Sequence, residues 1–342
     1  MKTGKISESI LKRSVLRQIS NQRQEVIKGA GVGEDCAFLS WRESAEENAE
    51  AFGMIAVATQ TVALPVRNVA SLAVMAAVNN LAAAGANPVG VTLAVTLPSE
   101  AEESLLKELM RQAERCCETL HVQILGGDTQ VSKSVNMPVI TATAVGIAQS
   151  ENVIHVQPHK ASARSYSMDI VVSKWIGMEG TAVIAEEKER ELAERYPISL
   201  IRLAKEQGGH LSIASEAAIA LKSGVYAMHD VRNGGIFGAL WELSQKLGVG
   251  LNIDLKKIPV KQETIEICEF FELNPYELLS GGMLIMVTDD GNGLVRALEE
   301  QGIPAEIIGK TTGGNDKIVT NQDEIRYIEP TKPDEIYKIS FN

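Results

Sequence analysis

Two periods of hydrophobicity run through this chain. Apolar residues at alternate positions, or in short unbroken runs, predict strands at 37–41, 54–61, 91–97 and 138–148. The same pattern returns at 169–173, 251–255, 283–287 and 305–309. A helical period lies between them. Leu11, Val15 and Ile19 recur among Lys, Arg and Gln, which predicts an amphipathic first helix. An alanine-rich helix at 71–86 carries Asn79 and Asn80 and is closed by Gly85 and Asn87-Pro88. Leu106, Leu109, Ala113, Cys116 and Leu120 share one face of a helix at 100–120. A charged helix to about Arg195 and helices at 199–206, 214–222, 261–269 and 291–301 fill the second half.

The most informative stretch is Ala227-Met228-His229-Asp230-Val231-Arg232-Asn233-Gly234-Gly235. Apolar residues lead into it, and Ile236, Leu240, Leu243 and Leu247 leave it at helical spacing, with Gly248 as a stop. This reads as strand, turn and helix. Unpaired N–H groups and a partial positive charge at a helix start can hold phosphate, although an ordinary capped turn with a buried histidine has the same local pattern.

Strands and helices alternate in both halves, so the class is α/β or α+β. The polar stretch at 42–51 reads as a loop. That at 149–167, with His155 and His159, reads as a link between domains 1–150 and 151–342. The net charge of −11 excludes a general nucleic-acid binder and an anionic membrane surface, but leaves nucleotide binding open. The first 24 residues lack the apolar run of a signal peptide, and the apolar stretch 69–95 is broken by Asn79, Asn80, Asn87 and Pro88. Cys36, Cys116, Cys117 and Cys268 form no CxxC pair and read as buried thiols. A reduced, cytoplasmic setting is expected.

Two further loops carry carboxylates beside glycine. Gly29-Ala30-Gly31-Val32-Gly33-Glu34-Asp35 does not fit GxGxxG, and its two acids suit a cation better than a bare pyrophosphate. Gly126-Gly127-Asp128-Thr129 reads as a second glycine loop with one carboxylate. Gly309-Lys310-Thr311 invites a P-loop reading, which Pro304 rules out at a position where glycine is required. There is no Gly-x-Ser-x-Gly elbow and no His-Glu-x-x-His.

Taken in order, these loops resemble the superfamily of aminoimidazole ribonucleotide (AIR) synthetase (PurM-like), thiamine-monophosphate kinase, selenophosphate synthetase and HypE. The HypE-like and AIR synthase-related members are nearest in pattern. Gly33-Glu34-Asp35-Cys36-Ala37 is similar to the family's Gly-Asp-Asp-Ala-Ala, and Val78-Asn79-Asn80-Leu81-Ala82 with Gly85-Ala86-Asn87-Pro88 to its Val-Asn-Asp-Leu-Ala and Gly-Ala-x-Pro. Gly126-Gly127-Asp128-Thr129 matches the Gly-Gly-Asp-Thr loop, and His229-Asp230 with Gly234-Gly235 resembles His-Asp-Pro-Thr-Arg-Gly-Gly.

The resemblance implies a two-domain PurM-like fold, its N-terminal ATP-binding domain joining a partner's strands in a dimeric β-barrel core, followed by a C-terminal α/β domain. It implies ATP and magnesium in a cleft between the domains, and phosphorylation of an oxygen on a small-molecule or protein substrate. Glu34, Asp35 and Asp128 would hold the metal. Asp128, His229 and Asp230 would carry the chemistry, and Gly31, Gly33, Gly126, Gly127, Thr129, Arg232, Asn233, Gly234 and Gly235 would contact the nucleotide.

The chain departs from the family where charge matters. Gln60 replaces the aspartate of the strand-end Thr-Asp-Thr, and Asn80 replaces that of the Asn-Asp helix motif; each change removes one negative charge from a hard-cation site. Arg232 adds a positive charge near the expected phosphates, which could partly replace a cation. HypE's C-terminal cysteine has no counterpart at 338–342, so its thiocarboxamide chemistry is not expected to run in the same way, and no cysteine precedes Cys36 to match that of selenophosphate synthetase. Two readings follow: an ATP-dependent enzyme, or a catalytically impaired dimeric relative that binds nucleotide, another anion or a protein partner.

Overall fold

A computed structural model describes residues 7–19, 25–41, 53–149, 166–330 and 332–341. The described residues fall into two compact units. Of these residues, the first unit draws on 25–30, 35–41, 53–149 and 341; the second on 7–19, 31–34, 166–330 and 332–340. The expected boundary at 150/151, the loop at 42–51, His155 and His159 lie outside the described residues.

The chain opens on α1 (Glu8–Ile10), continued by a π turn over Leu11–Val15 and a 3-10 turn over Leu16–Gln18. The expected apolar face is not the one that docks. Val15 and Ile19 are exposed, while the Trp241 indole N–H donates to Glu8 Oε2 at 2.6 Å within the second unit.

The first unit is a sheet of β1 (Val26–Lys28), β2 (Ala37–Trp41), β3 (Gly53–Val62), β4 (Asn87–Leu97), β5 (Gln123–Val131) and β6 (Val139–Gln149). The strand order is β1-β2-β3-β6-β4-β5, antiparallel except for β4 against β5. Helices α2 (Val69–Ala83) and α3 (Glu103–Leu120) complete it. Nearly every residue of α2 is buried, as its lack of a polar face requires. It packs on the small residues of the sheet, including Ala56, Ala58, Ala142 and Ala144. Its end is closed at Gly85 (φ 78), with the Ala86 N–H donating to the Leu81 carbonyl at 2.9 Å. The β-branched residues of β3 lie on the opposite face, where Thr59 and Thr61 pair with Thr143 and Thr141 at 3.0 and 2.8 Å.

The expected loop at Gly126-Gly127-Asp128-Thr129 is a strand. Gly126 and Gly127 take φ 148 and 155 inside β5, beside a bulge in its pairing with β4. A Cβ on Gly127 would lie 1.9 Å from the Leu93 carbonyl oxygen, so glycine here allows a close approach between strands.

The second unit is a sheet in the order β13-β12-β9-β11-β7-β10-β8. Its strands are β7 (Asp169–Ser173), β8 (Ala227–Val231), β9 (Gly250–Asp254), β10 (Met283–Thr288), β11 (Ala305–Thr312), β12 (Lys317–Asn321) and β13 (Glu324–Tyr327). The 3.6-residue patterns form α4 (Met178–Glu187), α5 (Glu189–Leu192), α6 (Ile198–Glu206), α7 (Ala214–Lys222), α8 (Gly235–Leu247), α9 (Gln262–Phe270) and α10 (Gly291–Glu299). Ile236, Leu240, Leu243 and Leu247 of α8 pack on Ile170, Val172, Leu251, Ile253 and Ile285 of the sheet. Each such side chain contributes about 1.5–3 kcal/mol by burial, and together they fix where the start of α8 stands. Gly309-Lys310-Thr311 lies inside β11, with Lys310 paired to Asp169 at 2.8 Å, so it forms no phosphate loop. Among the described residues no helix is long and apolar enough to cross a membrane.

Candidate functional site

The stretch 227–235 is strand, turn and helix. β8 ends at Val231, Gly234 (φ 80) and Gly235 (φ 59) turn the chain, and α8 starts. A Cβ on Gly235 would stand 2.3 Å from the Tyr276 carbonyl oxygen, so the turn is pressed against the segment 276–280. The Ser280 N–H donates to the Arg232 carbonyl at 3.2 Å and joins the two segments.

The start of α8 already holds an anion. The Gly234 N–H donates to Asp334 Oδ2 at 2.7 Å, and the Leu279 and Ile336 N–H groups donate to its Oδ1 at 3.1 and 2.9 Å. Burial pushes the Asp334 carboxyl up to about 7, against the three N–H donors and with the help of Glu179.

Arg232 is 8% exposed and Glu179 is 2% exposed. The guanidinium grips the carboxylate at two points, Nε to Oε2 at 3.1 Å and Nη2 to Oε1 at 2.7 Å. Burial alone would lower the Arg232 pKa, but Glu179, Asp230 and Asp334 outweigh it and raise it. Gly281 leaves the room this carboxylate needs, since a Cβ there would lie 2.2 Å from Glu179 Oε2. The charge expected near phosphate is therefore matched inside the protein. Neither Glu179 nor Asp334 is singled out by the sequence reading; the signals available were an acid between Gly177 and Gly180 and a capping aspartate after Pro333.

His229 is buried on β8, with Nε2 3.3 Å from Glu242 Oε2 of α8. The Gly33-Glu34 segment lies on the same helix. Gly33 (φ 72) would place a Cβ 2.6 Å from the Glu242 carbonyl oxygen, and Glu34 Oε2 stands 4.0 Å from Lys246 Nζ. Thus α8 gathers Gly33, Glu34 and His229. Asp230, Asn233 and Gly31 are half-buried in the same unit.

In the first unit, Asp35 is half-buried before β2, and Asp128 and Thr129 are exposed on β5 opposite Ala94 and Val95. Strands β3, β6 and β4 separate β2 from β5. Four strand spacings are about 19 Å along the sheet. One chain does not bring Asp35 and Asp128 to the same ion. Gln60 is half-buried, while Asn79 and Asn80 are buried in α2. The four cysteines are buried and form no disulfide, and burial pushes Cys116, Cys117 and Cys268 up to about 12, 11 and 12. They are packing residues, as expected.

Comparison with known proteins agrees with this architecture. Residues 33–148 match the N-terminal domain of AIR synthase related proteins, and residues 169–321 match the C-terminal domain. The chain belongs to the AIR synthase related family. Within that family it is similar to the carbamoyl dehydratase HypE of Rhodobacter capsulatus, 29% identical over 74% of this chain and 72% of that one. Among solved structures, a HypE–HypF complex superposes with a TM-score of 0.72 at 20% identity, covering 94% of this chain and 99% of that one. HypE in complex with ATP superposes with a TM-score of 0.65 at 15% identity, covering 98% and 97%. The two sheets and their helices are those of a PurM-like fold.

Proposed function

We propose that this AIR synthase related protein binds ATP and uses it to activate an oxygen of a small-molecule or protein substrate, working as a homodimer in the cytoplasm. The observation that carries this reading is the start of α8, where the Gly234 and Leu279 N–H groups already donate to a carboxylate. The likeness to HypE in complex with ATP supports the same ligand class. Bound ATP would supply the phosphoryl group, and this chain's own part is to place it.

Glu34, Asp35 and Asp128 are the proposed magnesium ligands. Asp128 fits that role because it stands exposed on β5. The separation of Asp35 from Asp128 supports a dimeric arrangement in which Asp128 of a second copy completes the set. Leu125 and Val131 are exposed on β5, the last strand in the sheet order, as a surface made to pair would be. Buried thiols that form no disulfide agree with a reduced compartment.

The second reading is a relative that binds nucleotide without turnover. It is favoured by the neutral Gln60 and Asn80 and by the internal pairing of Arg232 with Glu179. Thermal unfolding with ATP, with and without magnesium, separates the two. A magnesium-dependent rise is expected for the enzyme and is abolished by Asp128→Asn. A rise that ignores magnesium supports the second reading, and no response refutes both.

A further inference from the structure

The second unit holds a cavity of about 790 Å³ between the start of α7, the end of α10 and the segment 301–304. Its volume is that of a pocket for a small organic ligand. None of its lining residues is among those proposed for ATP or magnesium. Lys174 and Glu216 are its buried charged groups, and Lys222 and Glu300 are its exposed ones. We propose that this cavity binds a zwitterion of amino-acid or dipeptide size, with the ammonium at Glu216 and Glu300 and the carboxylate at Lys222.

The buried part is built from a costly backbone. β7 ends at Ser173, and Lys174 takes φ 56, a conformation that lysine rarely adopts. Its N–H donates to the Pro304 carbonyl at 2.7 Å. Its side chain reaches the start of α7, where Nζ donates to the His210 and Ser212 carbonyls at 2.8 and 2.7 Å and stands 2.5 Å from Glu216 Oε1. The lysine's three donors are thereby used. The acceptors of Glu216 are not. This side chain is 3% exposed, and no N–H group or hydroxyl among the described residues donates to its carboxylate. A carboxylate has about four acceptor sites, and leaving them empty in a buried position is costly. A ligand ammonium brings three donors to such a group.

The charges around the cavity sort the ligands. Lys174 is spent on Glu216. Lys222 and Glu300 have no ion-pair partner among the described residues. A polyanion entering here would bring its charge against Glu216 and Glu300, and a polyamine against Lys174 and Lys222. A molecule with one charge of each sign is attracted at both ends. Half-buried Trp175, Ile219 and Ile303 offer an apolar wall for its carbon skeleton. Lys261 Nζ lies 4.0 Å from the Trp175 ring centroid and steadies that wall. Ser215, Ile219 and Lys222 follow one another at helical spacing, so the cavity runs along about 10 Å of α7. An extended dipeptide covers about 7 Å of that length.

The inference does not depend on the ATP reading. Its test uses the full chain with each common amino acid and its glycyl dipeptide as probes, by ligand-observed NMR followed by calorimetry. At least one probe is expected to bind tighter than about 1 mM. Lys222→Met and Glu300→Gln change exposed positions and should each weaken it by about 10-fold or more, the loss of one charge-assisted hydrogen bond. The probe's own charges then report where each end sits. Its carboxamide lacks the carboxylate and should bind Lys222→Met no more weakly than wild type. Its N-acetyl form lacks the ammonium and should bind Glu300→Gln no more weakly than wild type. In the unaltered protein, saturation should slow hydrogen exchange of the amides at 215–219.

No probe binding tighter than about 1 mM to wild type overturns the site. Binding that both variants leave unchanged, or that leaves exchange at 215–219 as it was, also overturns it. A carboxamide as tight as its parent acid overturns the zwitterion, because the cavity would then read a cation alone. ATP titrated into the same samples decides only the ATP reading.

Discussion

Replacing Arg232 with methionine tests whether this cation is a structural partner or a ligand contact. In the folded protein its guanidinium makes two hydrogen bonds to Glu179, which is 2% exposed. Methionine fills similar space but leaves that carboxylate buried and unpaired. Losing one member of such a pair costs about 3–5 kcal/mol, because the remaining charge stays out of water. For a domain of this size, 1 kcal/mol moves Tm by about 2–4 °C, so Arg232→Met should lower the unfolding temperature of the second unit by roughly 6–20 °C. Glu179→Met in the same chain should recover most of the loss, since apolar replacements of a whole buried pair are often neutral. The assay is thermal and urea unfolding of the four members of the cycle. A loss below about 1 kcal/mol in Arg232→Met, with no recovery in the double variant, would refute the pairing as the main role of this residue.

Two further expectations concern pH and backbone. The folded-state pKa of Asp334 is raised from 3.8 to about 7, chiefly by burial, so its contribution to stability is full below about 3.8 and is lost as pH rises through about 7. The Tm difference between wild type and Asp334→Asn should therefore favour the wild type more at pH 5 than at pH 8, and a difference that grows with pH would show that the three N–H donors outweigh burial. Gly126 and Gly127 form a matched pair on β5. A Cβ at Gly126 meets nothing within 4 Å, whereas one at Gly127 lies 1.9 Å from the Leu93 carbonyl oxygen. Alanine at either position bears backbone strain of about 1–3 kcal/mol, and at Gly127 overpacking adds about 1–3 kcal/mol. Urea unfolding that finds Gly126→Ala as damaging as Gly127→Ala would refute the close approach of β4 to β5.

The parts of the fold that were legible in the sequence are those whose causes are local. The 214–222 helix and the 37–41 and 169–173 strands stand where the pattern puts them, because a face of a helix or strand is decided within a few residues. The turn at 231–235 was legible for the same reason, since Gly234 and Gly235 adopt the positive φ that only glycine takes readily. The misreadings have long-range causes. Gly126-Gly127 looked like punctuation, yet the reason for Gly127 is the Leu93 backbone of a neighbouring strand. The first helix has a four-residue apolar repeat, but Glu8 reaches a tryptophan 233 residues later. Arg232 is the clearest instance. Its charge can be read from one letter, while its effect is set by Glu179, 53 residues earlier. Asp334, in turn, reaches back 100 residues to the Gly234 amide. A sequence motif therefore locates a phosphate-competent turn, but whether the turn is open depends on which distant side chain already occupies it.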